Sequence, residues 1–199
     1  MPKFINKLAD RTFEWGIKGN EVSQIDGIVL IDGRQRGGTF QTTIENALRL
    51  IQRHDPRRYA RVVRYISRIV NVILPAGYHV RYDFNTRTVK LEFMEFQKFT
   101  DDKRAAIYAC ILIDQATDGA LRSKGIVRDS KNRMRVKRIG FAEHNRFAAR
   151  LVAADPVRYP SKLLELKFNE NRSRKKSTNY FRLVFSAAWK AITERKIKK

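Results

Sequence analysis

Between Thr39 and His54 the apolar residues Ile44, Leu48 and Ile51 fall three and four positions apart, the spacing of one helix face. Asp55 follows as an N-cap and Pro56 as a first helical residue, so a second helix is expected over 56–72, closed by Pro75 and Gly77. Before these, GIVLIDG at 27–33 reads as a short strand and GRQRGG at 33–38 as a basic loop, while residues 1–25 carry no clear pattern. From Tyr78 to Phe96 apolar and polar residues alternate on both sides of Asn85-Thr86, which predicts an antiparallel hairpin. A helix follows with Thr100 or Asp101 as N-cap, acids in its first turn and Gly125 as C-cap. Another is expected over 136–156, broken by Pro156. Residues 169–179 read as a solvated linker and 180–199 as a terminal amphipathic helix. The expected class is α+β: a mainly helical domain with a small antiparallel hairpin over 1–156, and a basic C-terminal helical extension over 157–199.

Within the 101–125 helix the residues Ala105 to Ile113 are apolar almost without interruption, so the helix is expected to be buried on all sides. Asp114-Gln115-Ala116-Thr117-Asp118 comes next. The two aspartates are four residues apart and share a face, with Cβ atoms roughly 5–6 Å apart. Two buried like charges repel, so arginines, a metal ion or a shared proton must compensate.

This segment has the outline of His-Glu-x-x-His with its chemical residues replaced. From Val80 to Leu151 the chain resembles a zincin-like metallopeptidase family of bacteria. In that family a hairpin precedes a helix reading roughly VHEATHARL, and a second helix supplies a Glu and the pattern Phe-x-x-x-Leu. The matching segments here are IDQATDGALRSKG and RIGFAEHNRFAARL, with a helical prelude from about residue 44. The resemblance implies a zincin-like fold, with Asp114 and Asp118 at the two histidine-ligand positions, Gln115 at the base position and Glu143 at the downstream ligand position. Zinc sites of this class use two neutral imidazoles and a carboxylate, and Gln115 has no titratable proton to act as general base. The expected protein is therefore a pseudoenzyme with no cofactor. One alternative is a hydrolase in which Asp114, Asp118 and Glu143 hold Mg²⁺, Mn²⁺ or Ca²⁺, and another is a general nucleic-acid-binding protein whose zincin outline is only ancestry. As arginine partners for the carboxylates, Arg133, Arg135, Arg138 and Arg146 are nearest in sequence. His144 points about 100° away from Glu143 on a helix and is expected at the surface; Cys110 is expected to be a buried small hydrophobe.

Charge adds a second theme. Lys and Arg number 42 against 20 acids, for a net charge of +22. Such a chain attracts polyanions, whether nucleic acid or an acidic protein. Arg57, Arg61, Arg64 and Arg68 would form one stripe on a helix over 56–72. In the tail, residues 162–199 hold 12 Lys or Arg against 3 Glu, including Arg172, Arg174, Lys175 and Lys176, with Phe168, Tyr180, Phe181, Phe185 and Trp189 interleaved. Basic and aromatic residues together suit single-stranded nucleic acid. With no apolar run long enough to span a membrane, no secretory signal pattern and a single cysteine, a cytoplasmic protein is expected.

Overall fold

The computed structural model describes residues 21–34, 38–74, 78–93, 99–127, 129 and 132–164. Two strands come first, β1 (Glu21–Ile25) and β2 (Ile28–Asp32). The turn between them is Asp26-Gly27, with φ of 48° and 80°. Two successive positive φ values match the twist of a hairpin, and Asp-Gly adopts them at low cost. The expected strand at 27–33 is β2; its partner β1 comes from the stretch that showed no pattern.

Helix α1 (Thr39–His54) buries Phe40, Ile44, Ala47, Leu48 and Ile51 along one face, as the spacing predicts. Asp55 then turns the chain sharply into α2 (Pro56–Tyr65): its carboxylate accepts from the Arg58 backbone N–H at 3.1 Å, the expected N-cap. The helix expected over 56–72 ends early. Ile66 is already extended, and Arg68–Asn71 form strand β3. Val62, Ile66, Ile69 and Val70 are all buried as the helical reading requires, but the last two are buried from a central strand. Their β-branched side chains suit a strand covered on both faces, and tertiary pairing overrides the helical period.

Strands β4 (Val80–Asp83) and β5 (Thr88–Leu91) form the expected hairpin. All five strands join one mixed sheet in the order β1-β2-β3-β5-β4, parallel for β2–β3 and β3–β5 and antiparallel at both outer pairs. The fold is thus mixed α/β, richer in strands than the short strand and hairpin read from sequence. At the last residues of β2 and β3, a buried polar knot secures the parallel centre. Asn71 Nδ2 donates to Asp32 Oδ1 at 2.6 Å, and Asn71 Oδ1 accepts from the Phe93 N–H at 3.0 Å.

Helix α3 (Asp101–Ser123) is the hub; it packs on α1, on α2, on β4 and on α4 (Arg133–Ala154). Every residue from Ala105 to Gly119 is buried. Thr100 flanks its start without a side-chain cap. At its end Gly125, with φ 76°, donates to the Arg122 carbonyl at 2.9 Å, and Ile126 donates to Leu121 at 3.0 Å. Those two bonds make a Schellman stop. Helix α4 closes with a corner already used once. Asp155-Pro156-Val157-Arg158-Tyr159 repeats the turn of Asp55-Pro56-Arg57-Arg58-Tyr59. In both, the Asp N–H bonds back to a leucine or isoleucine carbonyl four residues earlier, and the Tyr N–H bonds to the Asp carbonyl.

Core residues continue past 156: Tyr159, then Leu163 and Leu164 of the short α5 (Ser161–Leu164). His144 ties this segment down. It is buried, not at the surface as expected, because α5 covers it: its Nε2 donates to the Leu164 carbonyl at 2.6 Å. Burial lowers its pKa to about 4, against the raising effect of the Leu164 and Cys110 backbone. Cys110 is buried as expected, and burial pushes its thiol pKa up. Arg172, Arg174, Lys175, Lys176, the 169–179 linker and the 180–199 helix all lie outside the described residues.

A pH dependence follows from His144. Its folded pKa lies below the unfolded value of 6.5, so the unfolded chain takes the proton first. The linked stability is fully present above about pH 6.5 and is lost as pH falls toward 4, on the order of 3 kcal/mol in all. His144→Gln keeps a donor that does not titrate. The urea midpoint of the wild type should fall between about pH 7 and pH 5, and that slope should flatten in the variant. A residual slope is expected from His54, whose pKa burial, Arg53 and Arg158 also lower.

Candidate functional site

The Asp-Gln-Ala-Thr-Asp segment lies in the buried half of α3 that faces α2 and α4. Asp114, Gln115, Asp118 and Glu143 are all buried, each at 9 % exposure or less. Their surroundings differ sharply.

Glu143 is gripped by three guanidinium groups. Its Oε2 accepts from Arg61 at 2.7 Å and pairs with Arg58 at 3.2 Å, while Oε1 accepts from Arg146 at 2.7 Å. Burial alone would raise its pKa, but the Arg61 and Arg146 hydrogen bonds and the Arg58 charge hold the carboxyl below its ordinary value. Arg61 also donates to Thr117 Oγ1 at 3.3 Å, so it bridges α3 and α4. Arg58 pairs in addition with Asp55, which Arg150 reaches at 3.4 Å. Around this one position, α2 and α4 therefore place Arg58, Arg61, Arg146 and Arg150 against two carboxylates.

Asp118 pairs with Arg122 one turn on, Oδ2 to Nε at 3.0 Å, while its Oδ1 is buried without a hydrogen-bond partner among the described residues. Asp114 Oδ2 accepts from Gln115 Nε2 at 2.9 Å. Its Oδ1 lies against Gly140 of α4, where an added Cβ would overlap it severely. The bare Gly140 backbone thus lets the α3 carboxylate sit flush against the facing helix. Nearby, the Tyr82 hydroxyl donates to the Tyr65 carbonyl at 2.6 Å. Burial, with the nearby Asp118 charge, raises its pKa to about 12 despite Arg87 and Arg122, so it stays a neutral donor.

Arginine compensation meets Glu143, and the expected α4 candidate Arg146 takes part in it. Arg58 and Arg61 come from α2 and Arg122 from α3 itself. Arg58 stood one residue off the helical stripe, and its signal was the local Asp55-x-x-Arg58 capping pattern. The stripe itself is not continuous. Arg57 and Arg64 are exposed on α2, Arg61 turns inward to Glu143, and Arg68 sits on β3.

These donors do not fit a zincin zinc site. No imidazole stands at either α3 position, and both oxygens of the downstream carboxylate are held by arginine. Among the described residues, no group of three or more His, Cys, Asp or Glu is arranged to hold a metal ion. No helix of the described residues is long and apolar enough to cross a membrane. Comparison of the chain with family models, curated proteins and solved structures finds no match.

The Asp114–Gly140 contact gives a coupled pair of substitutions. Gly140→Ala should cost about 1–3 kcal/mol, because overpacking displaces a buried carboxylate. In an Asp114→Ala background the same change should be neutral or should stabilise by up to about 1 kcal/mol, the helix preference of Ala over Gly. Chemical denaturation of the four proteins measures the coupling; equal costs in both backgrounds would refute the contact.

Proposed function

We propose that this chain is a catalytically inactive relative of zincin-like metallopeptidases that works as a basic binding protein for polyanions. The observation that carries the first half is the Glu143 cluster. The carboxylate at the downstream ligand position has both oxygens committed to guanidinium groups from two helices. Ligating a cation there would mean breaking several charge-assisted bonds. Gln115, at the position where a peptidase carries its general base, donates to Asp114 and cannot accept a proton from water. The +22 charge supports the second half, since such a surface draws polyanions by counterion release. Nucleic acid is the leading partner class and an acidic protein the alternative.

One observation favours a rival reading, a hydrolase with Mg²⁺, Mn²⁺ or Ca²⁺ held by oxygen ligands. Asp118 Oδ1 is a buried carboxylate oxygen with no hydrogen-bond donor among the described residues. Hard cations take such oxygens.

Elemental analysis and melting curves separate the two. The proposal expects no stoichiometric zinc after dialysis, no peptide hydrolysis, and a melting temperature indifferent to chelator. Zinc retained by the wild type and lost in Asp118→Ala would overturn it. A chelator-induced drop in melting temperature, reversed by Mn²⁺ or Mg²⁺, would establish the hydrolase reading instead.

A further inference from the structure

The arginines around Glu143 outnumber what the site consumes. Among the described residues, the carboxylates that Arg58, Arg61, Arg146 and Arg150 pair with are Asp55 and Glu143. Arg57 and Arg64 are exposed on the same helix. Three of the paired guanidiniums are open to solvent: the Arg61, Arg146 and Arg150 side chains are 34 %, 68 % and 56 % exposed. Each guanidinium carries five N–H donors. Arg146 gives one terminal nitrogen to Glu143, and its remaining donors have no protein partner among the described residues. The cluster is thus a set of cations pre-aligned by two internal carboxylates, Glu143 and Asp55.

From this surplus we infer that the arginine face shared by α2 and α4 is the polyanion-binding surface, that its partner is the phosphodiester backbone of a nucleic acid, and that Glu143 is the positioning residue that orders its arginines. This rests on the polyanion reading above and gives it a place. Two features favour phosphodiester. The cations paired with Glu143 and Asp55 are arginines, whose planar fork pairs with phosphate through two parallel bonds. The cations also repeat along two helices, Arg57, Arg61 and Arg64 on one and Arg146 and Arg150 on the other. A ten-residue helix spans about 15 Å, which faces about four phosphates of one strand at roughly 3.4 Å of axis each. A regular polymer of anions meets such rows better than isolated acidic side chains do. Glu143 takes the inward donors of Arg61 and Arg146 and leaves the outward ones for the ligand.

The test uses the full chain and a short fluorescent DNA duplex, with affinity measured from about 50 to 200 mM salt. Arg146→Ala with Arg150→Ala should weaken binding at least tenfold and reduce the salt slope by about 1–2, the loss of one or two phosphate contacts. Arg81→Ala, on the exposed edge strand β4, should change affinity less than twofold. Glu143→Gln removes a negative charge, so attraction by net charge alone would tighten binding. The inference requires the opposite, a several-fold loss in protein shown by its melting curve to be folded. DNA binding that persists unchanged in the Arg146/Arg150 variant would move the site elsewhere and overturn the inference while leaving the polyanion reading intact. Tighter binding by Glu143→Gln would overturn the positioning role. Wild-type protein that binds no DNA at low salt would end both, and retention on anionic lipid vesicles alone would assign the surface to a membrane.

Discussion

Burying a carboxylate inside a helical core is unfavourable unless cations or donors meet it. Glu143 is met by three arginines, and meeting them fixes how the helices sit. Arg58 and Arg61 lie more than eighty residues earlier in the chain than their partner. Their pairing holds α2 against α4, and the bond from Arg61 to Thr117 brings in α3. Asp55 joins the same network while capping α2, so the corner between α1 and α2 is set by the cluster it serves. The carboxylates of the site hold different relations to that network. Glu143 is saturated by cations, Asp114 leans on Gln115 and the Gly140 backbone, and Asp118 has one paired oxygen and one orphan.

Much of the helical framework was legible because its signals are local. The Ile44, Leu48 and Ile51 period, the Asp55-Pro56 start and the Gly125 stop each depend on a few neighbouring residues, and each appears where expected. The break between α2 and β3 was not legible. Val62, Ile66, Ile69 and Val70 fit a helix and a strand equally well, and the decision lies with β2 and β5, which flank Arg68–Asn71 on both sides. Strand β1 was missed although Asp26-Gly27 is a strong hairpin signal, because the alternation in Glu21–Ile25 is faint. The Asp-Pro corner at 155 was read only as a break, yet it carries the chain back onto the core.

At the candidate site the sequence revealed the problem and not its solution. A run of apolar residues leading into Asp114 and Asp118 shows that charge is buried, but not which cations answer it. Proximity in sequence pointed to α4, whereas at Glu143 two of the three guanidiniums come from α2 and one from α4. His144 shows the same limit: helical phase placed it away from Glu143, and only the return of α5 decides that this direction is inside.

The central claim is that guanidinium groups neutralise the buried Glu143 carboxylate and hold the helices together through it. A double-mutant cycle on Arg61 and Glu143 measures this most directly, using Arg61→Ala, Glu143→Ala and their combination in denaturant. A coupling energy of roughly 1–3 kcal/mol is expected, because either single change leaves a part-buried charge short of its partner. Single effects that simply add, with coupling near zero, would mean that the pair carries no energy and that something else compensates Glu143.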